Sequence, residues 1–108
     1  MTAYRDGVPV PTTIFEAAAL HWSVKVRCGR CTNVAIFEPA GLWWHFERRR
    51  RNDHFAEARK HFWCIKCAIG GVPRQRPSFL EAVRDQPGKF LEPPPDREWK
   101  RATRRFRT

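Results

Sequence analysis

Two Cys-x-x-Cys pairs, Cys28 with Cys31 and Cys64 with Cys67, contain all four cysteines of this 108-residue chain. Together they supply the four thiolates that a tetrahedral Zn²⁺ ion needs, and each pair fits a tight turn whose backbone N–H groups can support the sulfurs. We predict that these cysteines hold one structural Zn²⁺ ion. Because four protein ligands fill the coordination sphere of the metal, the pattern favours a binding module over an enzyme.

Two other uses of the cysteines stay open, a redox dithiol and a pair of disulfides. Arg30 and Lys66 lie inside the two turns, where a cation favours the reactive thiolate whether or not a metal is bound. The zinc interpretation is preferred because the N-terminus has no apolar signal segment, and a cytoplasmic chain keeps its thiols reduced. The chain also has no apolar run of about 18 residues, so we predict a cytoplasmic protein without a membrane span.

The chain carries 21 Lys and Arg against 11 Asp and Glu, which gives a formal charge of +10. This charge attracts polyanions, most obviously DNA or RNA, because each Lys or Arg that neutralises a phosphate releases bound counterions. We predict nucleic-acid binding through two basic clusters and one lysine between them, namely Arg48, Arg49, Arg50, Arg51, Lys60, Lys100, Arg101, Arg104, Arg105 and Arg107.

The same clusters allow a second interpretation. Arg48–Arg51 could be only the solvated end of a helix, where the helix dipole favours cations. The C-terminal cluster lies on a predicted amphipathic helix with Trp99 and Phe106, which could dock on an acidic protein surface as a regulator or inhibitor. No predicted helix presents Asn or Gln among its arginines, and no residue grouping resembles a hydrolase site. We therefore predict no base-specific recognition, no catalytic residue and no small-molecule substrate.

Local patterns predict the elements that lead into the first Cys pair. Thr13 and Glu16 form a capping box that opens a helix to Leu20. Alternating apolar and polar residues predict a strand over 22–28, and residues 34–37 form its hairpin partner. The first Cys pair therefore lies at the tip of a hairpin.

Two helices are predicted between the Cys pairs. A helix over 39–50 begins at a proline, and Asp53 caps a second helix that ends near residue 60. Residues 61–63 then enter the second Cys pair as a strand, and residues 72–75 return from it. This order predicts a second metal-bearing hairpin.

The rest of the chain is predicted to be helical. A second capping box opens a short helix over 78–85, and a stiff run of three prolines separates it from a last helix over 97–106. We expect Trp43 and Trp63 to fill the core around the metal. Trp99 has the most exposed predicted position among the tryptophans, and packing of its ring onto the ribbon stays open as the alternative.

Two Cys-bearing knuckles on β-hairpins resemble the zinc-ribbon class, in which such knuckles clamp one metal ion. The Pro-Ala-Gly-Leu helix start and the Phe-Trp-Cys-Ile-Lys-Cys segment look like small uncharacterised bacterial zinc-ribbon proteins with a helical insert. The resemblance covers about residues 22–75. It implies Zn²⁺ and binding of nucleic acid or protein, and it implies no activity. The long insert and the basic C-terminal extension depart from a compact ribbon, so its usual binding face is not carried over.

These patterns together predict an α+β fold, a small zinc ribbon with inserted helices and a C-terminal helical extension. We divide the chain into a flexible arm over 1–12, a zinc-ribbon domain with a helical insert over 13–76, and a basic helical extension over 77–108. The predicted function is non-enzymatic nucleic-acid binding, with docking on an acidic protein surface as the alternative.

Overall fold

The computed structural model describes residues 3–5, 8–71 and 75–107 of the chain. It is an α+β fold, as predicted. Its strands are β1 (Ala3–Arg5), β2 (Val8–Val10), β3 (Ser23–Cys28), β4 (Val34–Phe37) and β5 (Pro77–Val83). Its helices are α1 (Ile14–Ala19), α2 (Pro39–Glu47), α3 (Phe55–Ala58), α4 (Ile65–Ile69) and α5 (Asp96–Arg107), and a 3₁₀ turn (Arg59–His61) follows α3.

The N-terminus of α1 is closed by hydrogen bonds from two distant parts of the chain. The backbone N–H of Glu16 donates to Thr13 Oγ1 over 3.0 Å, which confirms the predicted N-cap. The N–H of Phe15 donates to Asp53 Oδ2 over 2.9 Å, and the N–H of Ile14 donates to the carbonyl of Asp53 over 3.0 Å. Because the first N–H groups of a helix lack intrahelical partners, these bonds fix α1 to the segment before α3.

The prediction that Asp53 caps the helix after it is wrong. The Nδ1 atom of His54 accepts from the N–H of Ala56 instead, and α3 spans only Phe55–Ala58 before the 3₁₀ turn. The Asp53 carboxylate faces α1, a long-range contact that sequence spacing cannot reveal.

Replacing Asp53 by Ala is expected to destabilise the fold by about 1–2 kcal/mol, the usual cost of losing a helix cap. Asp53→Asn keeps an acceptor oxygen and should cost much less.

Burial raises the pKa of Asp53, so the charged carboxylate opposes folding at neutral pH. Relative to Asp53→Asn, the wild-type chain should therefore lose stability as the pH rises through this raised pKa. Urea unfolding of the three proteins at two pH values measures both effects, and equal losses for Ala and Asn would contradict the cap.

The main sheet has the order β4-β3-β5, with β3 in the centre and both pairings antiparallel. Val26 of β3 lies opposite Ala35 of β4 and Leu80 of β5. The predicted hairpin of β3 and β4 is confirmed. A separate small sheet pairs β1 with β2.

The prediction of a helix over 78–85 is wrong, because this segment forms β5. The capping box at Ser78 is a local signal, whereas the free edge of β3 offers a full row of backbone hydrogen bonds along the strand. Leu80 and Ala82 alternate with more exposed residues and are buried in the core. Pairing with a distant strand thus overrides the local helix signal.

Helices α1 and α2 cover one part of the sheet and form the main core. The largest fully buried side chains are Ile14, Val24, Leu42 and Phe46. They lie in one cluster that is separate from the cluster of cysteines. Leu42, Trp43 and Phe46 form the buried face of α2, which ends at Glu47 and not near residue 50 as predicted.

Helix α5 returns to this core, so that of the two alternatives left open for Trp99 the packed one is observed. The Trp99 ring lies 5.5 Å from Trp43 and 5.8 Å from Phe15, measured between ring centroids. Ala102, three residues further along α5, is buried. The large apolar ring gains more from this aromatic contact than from solvent. The side chain of Phe106 lies outside the described residues.

Gly41 in α2 permits a close approach of the chain segment that leads to α5. A Cβ atom at this position would lie 2.6 Å from the carbonyl oxygen of Leu91. Alanine is normally better than glycine in a helix by about 1 kcal/mol, but here the backbone near Leu91 would have to move. We expect Gly41→Ala to destabilise the fold by about 1–3 kcal/mol in urea unfolding. Gly88→Ala, whose Cβ would meet no atom within 4 Å, is the control, and a stabilised Gly41→Ala protein would contradict the contact.

The predicted division into an arm, a ribbon domain and an extension stays a prediction. Residues 3–5 and 8–10 of the arm form the β1–β2 pair, and residues 77–83 of the extension form β5 of the main sheet. Among the described residues, no helix has the length and apolar character needed to cross a membrane.

Candidate metal centre and basic surface

The fold brings the four cysteine sulfurs into one cluster. All four Sγ atoms lie within 4.8 Å of one another. The Sγ atoms of Cys28 and Cys67 are 3.7 Å apart, and those of Cys31 and Cys64 are 3.6 Å apart. A tetrahedral ion with Zn–S bonds of about 2.3 Å has sulfurs about 3.8 Å apart. The cluster therefore has the ligand number, donor chemistry and spacing that could hold a metal ion.

The first knuckle is the turn between β3 and β4. Cys28 ends β3, and its N–H donates to the carbonyl of Asn33 over 2.9 Å. The N–H of Arg30 donates to Cys28 Sγ over 3.4 Å. Thr32 has a φ of 60°, a left-handed conformation that is rare for a β-branched residue. This strained turn aims both sulfurs of the pair at the centre of the cluster.

The second knuckle is a short helix and not the predicted hairpin. Cys64 is the N-cap of α4, and its Sγ accepts from the N–H of Cys67 over 3.4 Å. Residues 61–63 form the end of the 3₁₀ turn and a loop, so the strand predicted there is wrong. Of the predicted return strand, residues 72–74 lie outside the described residues, and Gln75 belongs to no strand although its carbonyl accepts from the Cys64 N–H.

The backbone of each knuckle favours a thiolate at its first cysteine. Hydrogen bonds from the backbone of Cys31 and Arg30 lower the pKa of Cys28 to about 6, and the N–H of Cys67 lowers the pKa of Cys64. Burial raises the pKa of Cys67 to about 12. A divalent cation would offset the cost of this buried negative charge, since metals bind cysteine as thiolate.

Several of the predicted nucleic-acid contacts have partners within the protein. Arg48 pairs with Glu92 over 2.9 Å, and Lys60 pairs with Glu57 over 3.0 Å. The Lys60 ammonium lowers the pKa of Glu57 through this hydrogen bond. Two further members pair with uncharged or acidic neighbours, Arg49 with His45 Nδ1 and Arg101 with Glu98.

Four of the predicted cations stand exposed without an ion pair to any residue that the structure describes: Arg50, Arg51, Lys100 and Arg104. The side chain of Arg107 lies outside the described residues. A cation that is exposed and has no acidic partner in the protein can pair with an anion of another molecule.

The docking of α5 brings Arg105 near the end of α2. A shallow hollow is lined by Ala102 and Arg105 of α5 and by two acidic residues, Asp53 and Glu47. Glu47 immediately precedes the first cluster. We call Arg48–Arg51 together with the α5 cations Lys100, Arg101, Arg104 and Arg105 the basic surface. Lys60 follows α3, and no contact joins it to this surface among the described residues.

Arg50 occupies a position where glycine is normally favoured. Helix α2 ends in a Schellman motif, in which the N–H of Arg51 donates to the Phe46 carbonyl and the N–H of Arg50 donates to the Glu47 carbonyl. Arg50 has a φ of 54°, a left-handed conformation that costs a residue with a Cβ about 1 kcal/mol or more. The chain thus holds a cation here against a local energetic cost.

Arg50→Gly is expected to stabilise the fold by about 0.5–1 kcal/mol, because glycine relieves the left-handed strain at the end of α2. The same substitution should weaken nucleic-acid binding. Thermal unfolding and binding are measured on the same protein. Arg51→Gly, at a residue without positive φ, is the control and should lose binding without gaining stability.

An apolar surface that was not predicted from the sequence lies beside the cysteine cluster. Trp63 is 58% exposed, so its predicted place in the core is wrong, whereas Trp43 is buried in the main core and not around the metal. Ile65 and Ile69 of α4 are also exposed, at 66% and 83%. Their spacing of four residues on one helix face was the available signal.

No protein-family model, curated protein or solved structure matches this chain. The four-cysteine cluster is compatible with a zinc-ribbon-like site, and the likeness to the zinc-ribbon class rests on this cluster.

Proposed function

We propose that the chain is a zinc-binding, non-enzymatic module of the zinc-ribbon type that binds nucleic acid through phosphate contacts. The observation that carries the proposal is the convergence of four cysteine sulfurs within 4.8 Å. Four thiolates at tetrahedral spacing suit Zn²⁺, and they leave no open position for a substrate. The metal would join the β3–β4 hairpin to α4 and fix both knuckles.

The basic surface supports the nucleic-acid part of the proposal. The packing of Trp99 and Ala102 against the core brings Arg105 of α5 to the hollow that Glu47 of α2 also lines. Several exposed cations on one protein can contact successive phosphates of a backbone, and such contacts are independent of base sequence. The strained backbone at Arg50 is consistent with a cation retained for binding.

The direct test measures metal content and nucleic-acid binding on the same preparation. We expect one equivalent of zinc per chain. We also expect fluorescence anisotropy to show binding to random-sequence duplex DNA, duplex RNA and single strands, which weakens steeply as salt is raised. Zinc without binding to any of these probes near physiological salt would retain the metal module and reject the nucleic-acid function.

A further inference from the structure

An open groove lies on the main sheet between the helical core and the cysteine cluster. Its floor is formed by Val26 of β3 with Ala35 and Phe37 of β4, which share one face of the sheet. Val24, two residues before Val26, is fully buried beneath the helices, and Cys28, two residues after it, belongs to the cysteine cluster. This part of the sheet face is therefore left uncovered, with a volume of about 480 Å³. We call it the apolar groove.

The wall of the apolar groove exposes several large apolar side chains. Trp63, Ile65 and Ile69 line it and are 58%, 66% and 83% exposed. Scattered apolar residues on a surface are ordinary, but three that border one apolar cleft mark an interaction site. Cys28 and Cys64 also line the groove, one on each side. A metal that joins them would hold the floor and the wall in fixed positions.

The charge around the apolar groove selects its occupant. Lys66 and Lys89 are the charged residues that line it, and no acidic residue is among the described lining residues. A second copy of the chain is disfavoured because each copy carries a formal charge of +10. A nucleobase is less favoured, because Ile65 and Ile69, the two most exposed side chains of the wall, have no ring on which a base could stack, and Trp63 is the one aromatic side chain among the three. The favoured occupant is apolar in its centre and acidic at its ends.

We propose that the apolar groove docks a short segment of a partner protein in which apolar side chains are flanked by Asp or Glu. The apolar side chains fill the gap over Val26 and Ala35, in line with the main core. The acidic flanks lie beside Lys66 and Lys89, where they add electrostatic complementarity. This site is separate from the basic surface, so the chain can bind nucleic acid and a partner protein at once.

The test uses three fluorescent synthetic peptides with the same length. One has a leucine-rich centre with glutamate flanks, the second has the same centre with lysine flanks, and the third has a serine centre with glutamate flanks. The zinc-loaded chain should bind the first peptide at least about tenfold more tightly than either of the others. Ile69→Glu and Ala35→Trp should each weaken that binding about tenfold or more, the first by charge and the second by filling the floor.

Phe90→Glu is the matched control, because Phe90 is 69% exposed and does not line the groove. It should leave peptide binding unchanged. Circular dichroism and zinc content show whether each variant is folded. If Ala35→Trp fails to fold, Ile69→Glu still tests the proposal, because Ile69 is highly exposed and its replacement should not disturb the core. Equal binding of the acidic and basic peptides overturns the proposal. The proposal is also overturned if the chain binds single-stranded DNA and Ile69→Glu abolishes that binding. It is likewise overturned if analytical ultracentrifugation shows a dimer that Ile69→Glu disrupts.

Discussion

Removal of the metal by a strong chelator is expected to abolish cooperative thermal unfolding of the chain. Zinc binding that is coupled to folding contributes about 10–16 kcal/mol in small zinc fingers, which is comparable with the total stability of a domain of this size, about 5–15 kcal/mol. Without the ion, the bonds that would join the sulfurs of the β3–β4 hairpin to those of α4 are absent, while the chain still carries the left-handed backbone at Thr32. Calorimetry and near-ultraviolet circular dichroism with and without chelator measure the effect.

Cys64→Ser is expected to reproduce this loss in the presence of zinc. The substitution keeps a polar N-cap for α4 but removes one of the four sulfur ligands. Ala68→Ser is the matched control, because Ala68 lies exposed in the same helix and contributes no ligand atom. A Cys64→Ser protein that unfolds cooperatively at the wild-type temperature, with no bound metal, would show that the main core suffices for folding.

The elements around the first Cys pair could be predicted from the sequence because their signals are local. The capping box at Thr13, the alternation over β3 and the proline at the start of α2 each act through neighbouring residues. The convergence of the four cysteines could also be predicted, because two Cys-x-x-Cys pairs in a chain with no other cysteine indicate one shared site.

Two of the errors concern residues whose partners are distant in the sequence. β5 forms because β3 has a free edge, and Asp53 turns to α1 because that helix needs acceptors. The second knuckle is an error of a local kind, because the sequence around Cys64 also allows this residue to cap a helix. A Cys-x-x-Cys pair therefore indicates which residues could bind a metal ion, but it does not determine whether the backbone around them forms a hairpin or a helix.

These corrections change the expected binding surface. A flexible C-terminal helix would carry its arginines as a separate unit, tethered by the proline run. The docked α5 instead packs Trp99 against Trp43 and brings Arg105 to the hollow that Glu47 of α2 lines. Rigid presentation lowers the entropy that the surface loses when it binds an extended polyanion.

Neutralising the four exposed cations without ion pairs is expected to reduce nucleic-acid affinity by about 10³-fold at 0.15 M salt. The variant combines Arg50→Gly, Arg51→Ala, Lys100→Ala and Arg104→Ala, so that each change removes a charge and none breaks an ion pair in the described part of the chain. Each phosphate contact contributes about 0.9 to the slope of log affinity against log salt, so four lost contacts should also flatten that slope by about 3–4. Anisotropy titrations at several salt concentrations measure both quantities.

A second variant lacks four cations that lie outside the basic surface. It distinguishes binding by the basic surface from attraction by the net charge of the chain. It replaces Arg27, Lys66, Arg84 and Lys89 by Ala. All four are exposed, and they lie in β3, in α4 and in the segment between β5 and α5. If the basic surface binds the phosphates, this control should keep most of the affinity and nearly the full salt slope. Equal losses in the two variants would mean that the net charge of the chain attracts nucleic acid without a defined surface.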